Sequence, residues 1–140
     1  LPIWLYRIRL GRLLDHRSLL LNHVGRVSGS PRQAVLEVIK FDADSNTHYV
    51  ASGFGEKANW YQNIVQTPRV SIRVAGKELP VLAERLPLSD AEIIFKDYHQ
   101  RHPKALAGLG KMIGYKLSQN EAEILDFFSE EIPVIAFRPI

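Results

Sequence analysis

The chain has no cysteine among its 140 residues. Disulfides, thiolate metal sites and cysteine nucleophiles are therefore excluded. Long apolar runs are also missing, and none approaches the ~20 residues of a membrane span. No signal-peptide pattern is read at the start, so the expected location is cytoplasmic. The familiar catalytic signatures are absent as well: no Walker loop, no Gly-x-Ser-x-Gly elbow and no His-Glu-x-x-His. Histidines are few and scattered. Only His99 and His102 stand one helical turn apart, with Asp97 the nearest acid, so the reading assigns no metal. Charge is close to balanced, at a net +3. That mildly favours an anionic partner but offers no clustered aromatic-basic surface for nucleic acid.

What is present is ordinary for one domain spanning residues 1–140, with 46% apolar and 24% charged residues. Leu1, Trp4, Leu5 and Ile8 fall at helical spacing, flanked by Arg7, Arg9, Arg12 and Arg17. A basic amphipathic helix can lie on a membrane surface, but covering one end of a barrel or sheet is the favoured role. Residues 19–24, 34–41 and 47–52 read as strands joined by tight links, which argues antiparallel pairing. Residues 59–66 read as a short helix stopped by Thr67-Pro68. Residues 69–75 and 78–86 alternate as a hairpin around Gly76-Lys77, with Pro80 marking a strand start, an edge or a bulge. Ser89 with Glu92 fits a capping box opening a helix towards Arg101. Pro103 restarts a helix to about Gly114, and Ser118 with Glu121 opens another. Residues 132–137 close the chain as a strand. The expected architecture is mainly β with helices, an α+β barrel with flanking helices.

The connection Gly25-Arg26-Val27-Ser28-Gly29-Ser30-Pro31-Arg32 links the first two strands. Gly25 and Gly29 can take positive φ and turn N–H groups to a common point. Serine hydroxyls and two guanidiniums complete a set suited to phosphate or carboxylate. Composition alone leaves a plain polar turn equally open. A second stretch, Ser52-Gly53-Phe54-Gly55-Glu56-Lys57, lies between a strand and a helix. Its N–H groups and Lys57 also suit an anion, and Trp60 and Tyr61 could pack beside a flat ring. Taken alone, Trp60 is better read as a core residue. Two anion-ready loops flanking one sheet argue more strongly than either.

Gly25-Arg26-x-Ser28-Gly29-x-x-Arg32, Val50-Ala51-Ser52-Gly53, Trp60-Tyr61-x-Asn63 with Pro68, and the terminal Ile132-Pro133-Val134 together resemble the deazaflavin-dependent nitroreductase family. The resemblance spans nearly the whole chain. It implies a split β-barrel of the FMN-binding type and the deazaflavin coenzyme F420, with its phosphodiester and oligoglutamate tail. By this resemblance Arg26, Val27 and Ser28 hold the anionic tail. Arg32, Gln33, Ala34, Val35, Leu36 and Glu37 run along the cofactor. Val50, Ala51, Ser52 and Gly53 supply main-chain donors near the ring. Asn59, Trp60, Tyr61, Gln62 and Asn63, with Lys57, bind phosphate. Many relatives carry lysine where this chain has Val27, which leaves FMN or a shorter-tailed cofactor open. Residues 89–128 would cover the ring, with Tyr98, His102, Met112 and Tyr115 lining a substrate pocket. Packing of Tyr98 and Tyr115 between helix and barrel is the competing reading. The implied reaction passes a hydride to a small electron acceptor: a quinone, an activated alkene or a nitro compound. No protein acid is obligatory, and Tyr98 and Tyr115 are the candidates if one exists. The rivals are an FMN-dependent oxidoreductase, a non-catalytic flavin or deazaflavin carrier, and last a nucleic-acid or acidic-lipid binder. Related barrels often pair, so a homodimer is kept open.

Overall fold

A computed structural model describes residues 16–104 and 130–140. Six strands form it: β1 (Ser18–Val24), β2 (Pro31–Asp42), β3 (Thr47–Ala51), β4 (Arg69–Val74), β5 (Lys77–Arg85) and β6 (Val134–Pro139). A 3-10 turn (Gly55–Lys57) and helix α1 (Asn59–Gln66) lie between β3 and β4, and helix α2 (Leu88–Arg101) follows β5. Every strand pair is antiparallel, and the order β1-β2-β3-β6-β5-β4 closes through β4 onto β1. The first three strands follow the chain, whereas β6 is inserted between β3 and β5.

Strand alternation sorts the apolar side chains into two cores. Leu19 and Leu21 of β1, Val50 of β3, Val70, Ile72 and Val74 of β4, and Ile135 and Phe137 of β6 fill the barrel interior. Val134 and Ala136, one residue out of phase on β6, point outward and pack under α2 with Ala91, Ile94, Phe95 and Tyr98. β6 is therefore buried on both faces from Val134 to Phe137, which is why that stretch is an unbroken apolar run. Tyr61 and Ile64 of α1 complete the interior core. Pro80 costs no ladder bond: its carbonyl accepts from the Ile140 N–H, so its missing N–H faces the place where β6 runs out.

Several boundaries differ from expectation. β2 begins at Pro31 rather than residue 34, because residues 31–33 pair with 24–22 of β1 despite being exposed. The β4–β5 turn is Ala75-Gly76, not Gly76-Lys77, since Val74 pairs directly with Lys77. Both turn residues have positive φ, 51° and 74°, as a two-residue hairpin matching strand twist requires. The capping box at Ser89 does not form. The Leu86 N–H bonds Val134 O at 2.9 Å, which leaves Pro87 as N-cap and Ser89 inside the first turn. A register shift between Val38 and Lys40 bulges β2. There the Arg101 guanidinium donates to the Ile39 carbonyl, tying α2 to the barrel. The N-terminal helix, the helices from 105 onward and the second capping box lie outside the described residues.

His48 is fully buried on β3, stacked on Phe41 with centroids 4.5 Å apart, and its Nε2 lies 2.9 Å from His16 Nδ1. Burial first, and the His16 charge second, push its pKa down to about 4. The unfolded chain then takes up a proton near 6.5 that the folded chain refuses. Stability is complete above that value and falls, by up to about 3 kcal/mol, as pH drops towards 4. Urea titrations across that range, with His48→Gln as the flattened control, check this. A second expectation concerns Ala75. An L side chain in the left-handed region costs roughly 1–2 kcal/mol, and Asn tolerates it better. Ala75→Asn is expected to gain about 1 kcal/mol in the same titration.

Candidate functional site

Across the mouth of the barrel runs a cleft of about 1150 Å³. β2 forms its long wall, the β1–β2 loop and α1 form one end, and the turn after β3 forms the opposing rim. The loop is shaped by its own backbone. Gly25 N–H bonds Ser30 O, and Gly29 N–H bonds Gly25 O, both at 2.9 Å. Gly29 supplies the positive φ of 71°. Gly25 does not. It is needed for space, because a Cβ there would sit 2.8 Å from Ser28 Oγ, which itself accepts from the Ser30 N–H at 3.2 Å.

The loop is fastened to α1 chiefly by the Asn63 side chain, with Gln66 Nε2 also donating to the Arg26 carbonyl at 3.4 Å. Asn63 Oδ1 accepts the Arg26 backbone N–H at 3.0 Å and the Arg26 Nη1 at 2.9 Å. Arg26 Nη2 also reaches Asn59 Oδ1 at 3.4 Å. The other end of the Asn63 amide lies 3.0 Å from His23 Nδ1. Asn63 is 4% exposed, so it acts as a brace in the cleft end rather than an open donor. His23 follows Leu19 and Leu21 on the inner face of β1 and is the point where that face turns polar at the barrel mouth. Burial, and then the charge of Arg32, push its pKa below the ordinary histidine value.

Charge along the cleft is graded. Arg26, Arg32 and Lys57 line it, whereas its acid among the described residues is Glu37. Arg32 and Glu37 are five residues apart on β2, about 17 Å at ~3.3 Å per residue. Glu37 accepts from the Tyr98 hydroxyl of α2 at 3.3 Å. Between the charged ends lie Ala34, Val35, Leu36, Ala51 and Trp60.

The structure thus brings together Arg26, Val27, Ser28, Arg32, Gln33, Ala34, Val35, Leu36, Glu37, Ala51, Gly53, Lys57, Asn59, Trp60 and Asn63. Val27 projects from the loop tip, 95% exposed. Four expected residues stand away from the cleft. Val50 points into the barrel core. Ser52 is fully buried, with its Oγ donating to Gly55 O at 2.6 Å. Tyr61 packs in the interior with its hydroxyl accepting from Arg85 at 3.1 Å. Gln62 donates to Glu56 O and, with Tyr61 and Arg85, lines a separate hollow of about 330 Å³. Tyr98 is buried under α2, and its hydroxyl meets the cleft only through Glu37. Burial and the Glu37 charge push its pKa up to about 12, which makes it a weak acid. His102 is exposed, edge-on to the Tyr98 ring. Met112 and Tyr115 lie outside the described residues. The cleft also includes His23, Gly25, Phe54 and Ala58, which motif reading missed as contact residues. For His23 the inward series 19, 21, 23 was the available signal. Among the described residues no three His, Asp or Glu side chains are grouped to hold a metal ion, and no helix is long and apolar enough to cross a membrane.

A closed antiparallel barrel with this cleft at its mouth has the architecture of the FMN-binding split β-barrels. A pyridoxamine 5'-phosphate oxidase-related, FMN binding protein from Nostoc punctiforme superposes with a TM-score of 0.54 at 15% identity, over 99% of this chain and 78% of that one. An F420-H2 dependent reductase is similar at a TM-score of 0.61 and 21% identity, over 90% of this chain and 97% of that one. A structure described as a domain-swapped dimer gives 0.59 and 21%, over 99% of this chain and 100% of that one. Residues 6–107 match the F420H2-dependent quinone reductase family, and the chain belongs to it. It is therefore an oxidoreductase of the coenzyme F420-dependent class. A search of curated proteins found no match.

Gly25→Ala is expected to push Ser28 Oγ off the Ser30 N–H and to cost about 1 kcal/mol. In a Ser28→Ala background the same change should cost less. A double-mutant cycle by chemical denaturation measures the difference.

Proposed function

We propose that this chain reduces electron-poor small molecules, with quinones, activated alkenes and nitro compounds as the substrate class, using reduced coenzyme F420 held along the cleft. The observation carrying this reading is continuity: one trough joins the β1–β2 loop to the turn after β3 across β2. The donor set fits the group. Arg26, Arg32, Lys57 and Ser28 offer charge and hydrogen bonds suited to a phosphodiester and carboxylate tail. Ala34, Val35, Leu36, Ala51, Gly53 and Trp60 offer the apolar wall a flat heterocycle needs. In this reading residues 1–140 act as one cofactor-binding unit.

When bound, the reduced deazaflavin supplies the hydride. What remains for the protein is alignment. Asn63 holds Arg26, and Arg26 with Arg32 would hold the anionic tail and so align the cofactor along β2. β2 shields one face from water. The anion left on a reduced quinone or alkene can take its proton from water, and Tyr98, a weak acid whose hydroxyl already donates to Glu37, is not needed as the donor. The exposed Val27 favours a second reading, a cofactor with fewer tail charges such as FMN, which the FMN-binding neighbour also supports. A second copy of the chain is a further proposed partner, supported by the neighbour described as a domain-swapped dimer.

Parallel titrations with coenzyme F420 and FMN decide the cofactor. Tighter coenzyme F420 binding is expected, tighter FMN binding moves the assignment to the second reading, and binding of neither overturns both. Mixing the protein with reduced coenzyme F420 and menadione should speed the absorbance change above the uncatalysed rate, and no acceleration counts against reduction. Arg26→Ala and Arg32→Ala should each weaken coenzyme F420 binding by about 2 kcal/mol, roughly thirtyfold. Unchanged affinity would mean the tail lies elsewhere.

A further inference from the structure

Two N–H groups of Arg26 converge on one atom of the Asn63 amide, at 3.0 and 2.9 Å. Arginine has donors only, so that atom must be the amide oxygen. The other end is then the NH₂ group, and it faces His23 Nδ1 at 3.0 Å. Nδ1 must accept, and the ring proton must sit on Nε2. The hydrogen-bond chain thus fixes a tautomer as well as an orientation. We infer that His23 is a positioning residue for Arg26: its neutral, Nε2-protonated ring keeps the Asn63 oxygen turned to Arg26, and a proton taken from solvent onto Nδ1 releases the guanidinium.

The release follows from counting donors. A protonated imidazole offers N–H at both nitrogens. The Nδ1 proton would then face the Asn63 NH₂. Turning the amide over satisfies His23 but presents NH₂ to two Arg26 donors, and parting leaves buried groups unpaired. Either way Arg26 loses its Asn63 acceptor, and the loop keeps only the longer contacts to α1, Arg26 Nη2 to Asn59 Oδ1 and Gln66 Nε2 to the Arg26 carbonyl, both at 3.4 Å.

The surroundings hold the ring neutral at ordinary pH. Arg32 is the cross-strand partner of His23 on β2. Arg26 follows in the loop. α1 carries no ionisable side chain except Tyr61, which points into the core. The β1–β4 register ends at Asn22 opposite Ser71, and the charged residues of β4 are the exposed Arg69 and Arg73. Lys57 lines the same cleft, and Glu37 lies five residues beyond Arg32 along β2. Among the described residues no acid neighbours the ring, and burial adds to the effect of Arg32.

The relay is a property of the free protein, and only its effect on affinity rests on the functional reading above. Imidazole ¹⁵N spectra of the free protein should show His23 as the Nε2–H tautomer at neutral pH, titrating below the usual histidine value of 6.5. The Arg26 guanidinium resonances should shift in step with that titration. A Nδ1–H tautomer, or Arg26 signals indifferent to the His23 titration, overturns the inference. Coenzyme F420 affinity of the wild type should fall about tenfold on passing through the His23 titration, the equivalent of ~1.4 kcal/mol. His23→Gln keeps an acceptor for Asn63 and cannot titrate, so its affinity should stay level over the same range. If His23→Gln shows the same acid loss as the wild type, the relay is wrong. If coenzyme F420 binds at no pH, the functional reading fails, and the spectra of the free protein alone decide the relay.

Discussion

The cleft has a definite end because one amide holds three partners. Asn63 is buried on α1 and gives the glycine-rich β1–β2 loop its shortest bonds to that helix. Its oxygen anchors the loop at both backbone and side chain of Arg26. Its nitrogen reaches back to β1 at His23. A single side chain thereby joins a strand, a loop and a helix that are far apart in sequence. The Arg26 guanidinium is thus oriented before any ligand arrives, which lowers the ordering cost of binding.

The barrel supplies the rigid frame for that arrangement. Closure leaves no strand without two partners, so β2 can give much of one side to the cleft and keep its ladders to β1 and β3. The bulge at residues 38–40 shifts β2 where Arg101 and Tyr98 of α2 reach it. Arg26 and Arg32 stand at the loop end of the cleft, Lys57 lies on the turn after β3, and Glu37 is five residues beyond Arg32 along β2.

Much of this architecture was legible because the strands have a clear period of two and the connections are short. α1 was read at residues 59–66, where the structure has it, since Pro68 leaves little freedom at its end. The misjudged positions have physical reasons. Ser89 with Glu92 is a valid capping pattern, but with a sheet bond at Leu86 the N-cap falls two residues earlier, at Pro87. Residues 31–33 of β2 have no buried face, so their strand character comes from pairing alone. Motif reading treated Val50 to Gly53 and Asn59 to Asn63 as continuous binding segments. In a strand neighbouring residues face opposite sides, and in a helix each step turns by about 100°. Val50 and Tyr61 were therefore sent into the core while Ala51 and Trp60 lined the cleft. The Asn63 brace was not readable at all, because it joins positions 23, 26 and 63 that only the closed barrel brings together.

The insertion of β6 between β3 and β5 bears on how the molecule is made. Residues 47–51 and 77–85 both leave the ribosome well before residues 134–139, their shared neighbour. Until β6 emerges, the edges of β3 and β5 that it will pair with stay open, and open edges are templates for wrong pairing. The nascent chain must therefore wait with an incomplete wall. Its final assembly is a long-range closure, the slow kind of folding step, and the interval before it is when a chaperone would be of most use.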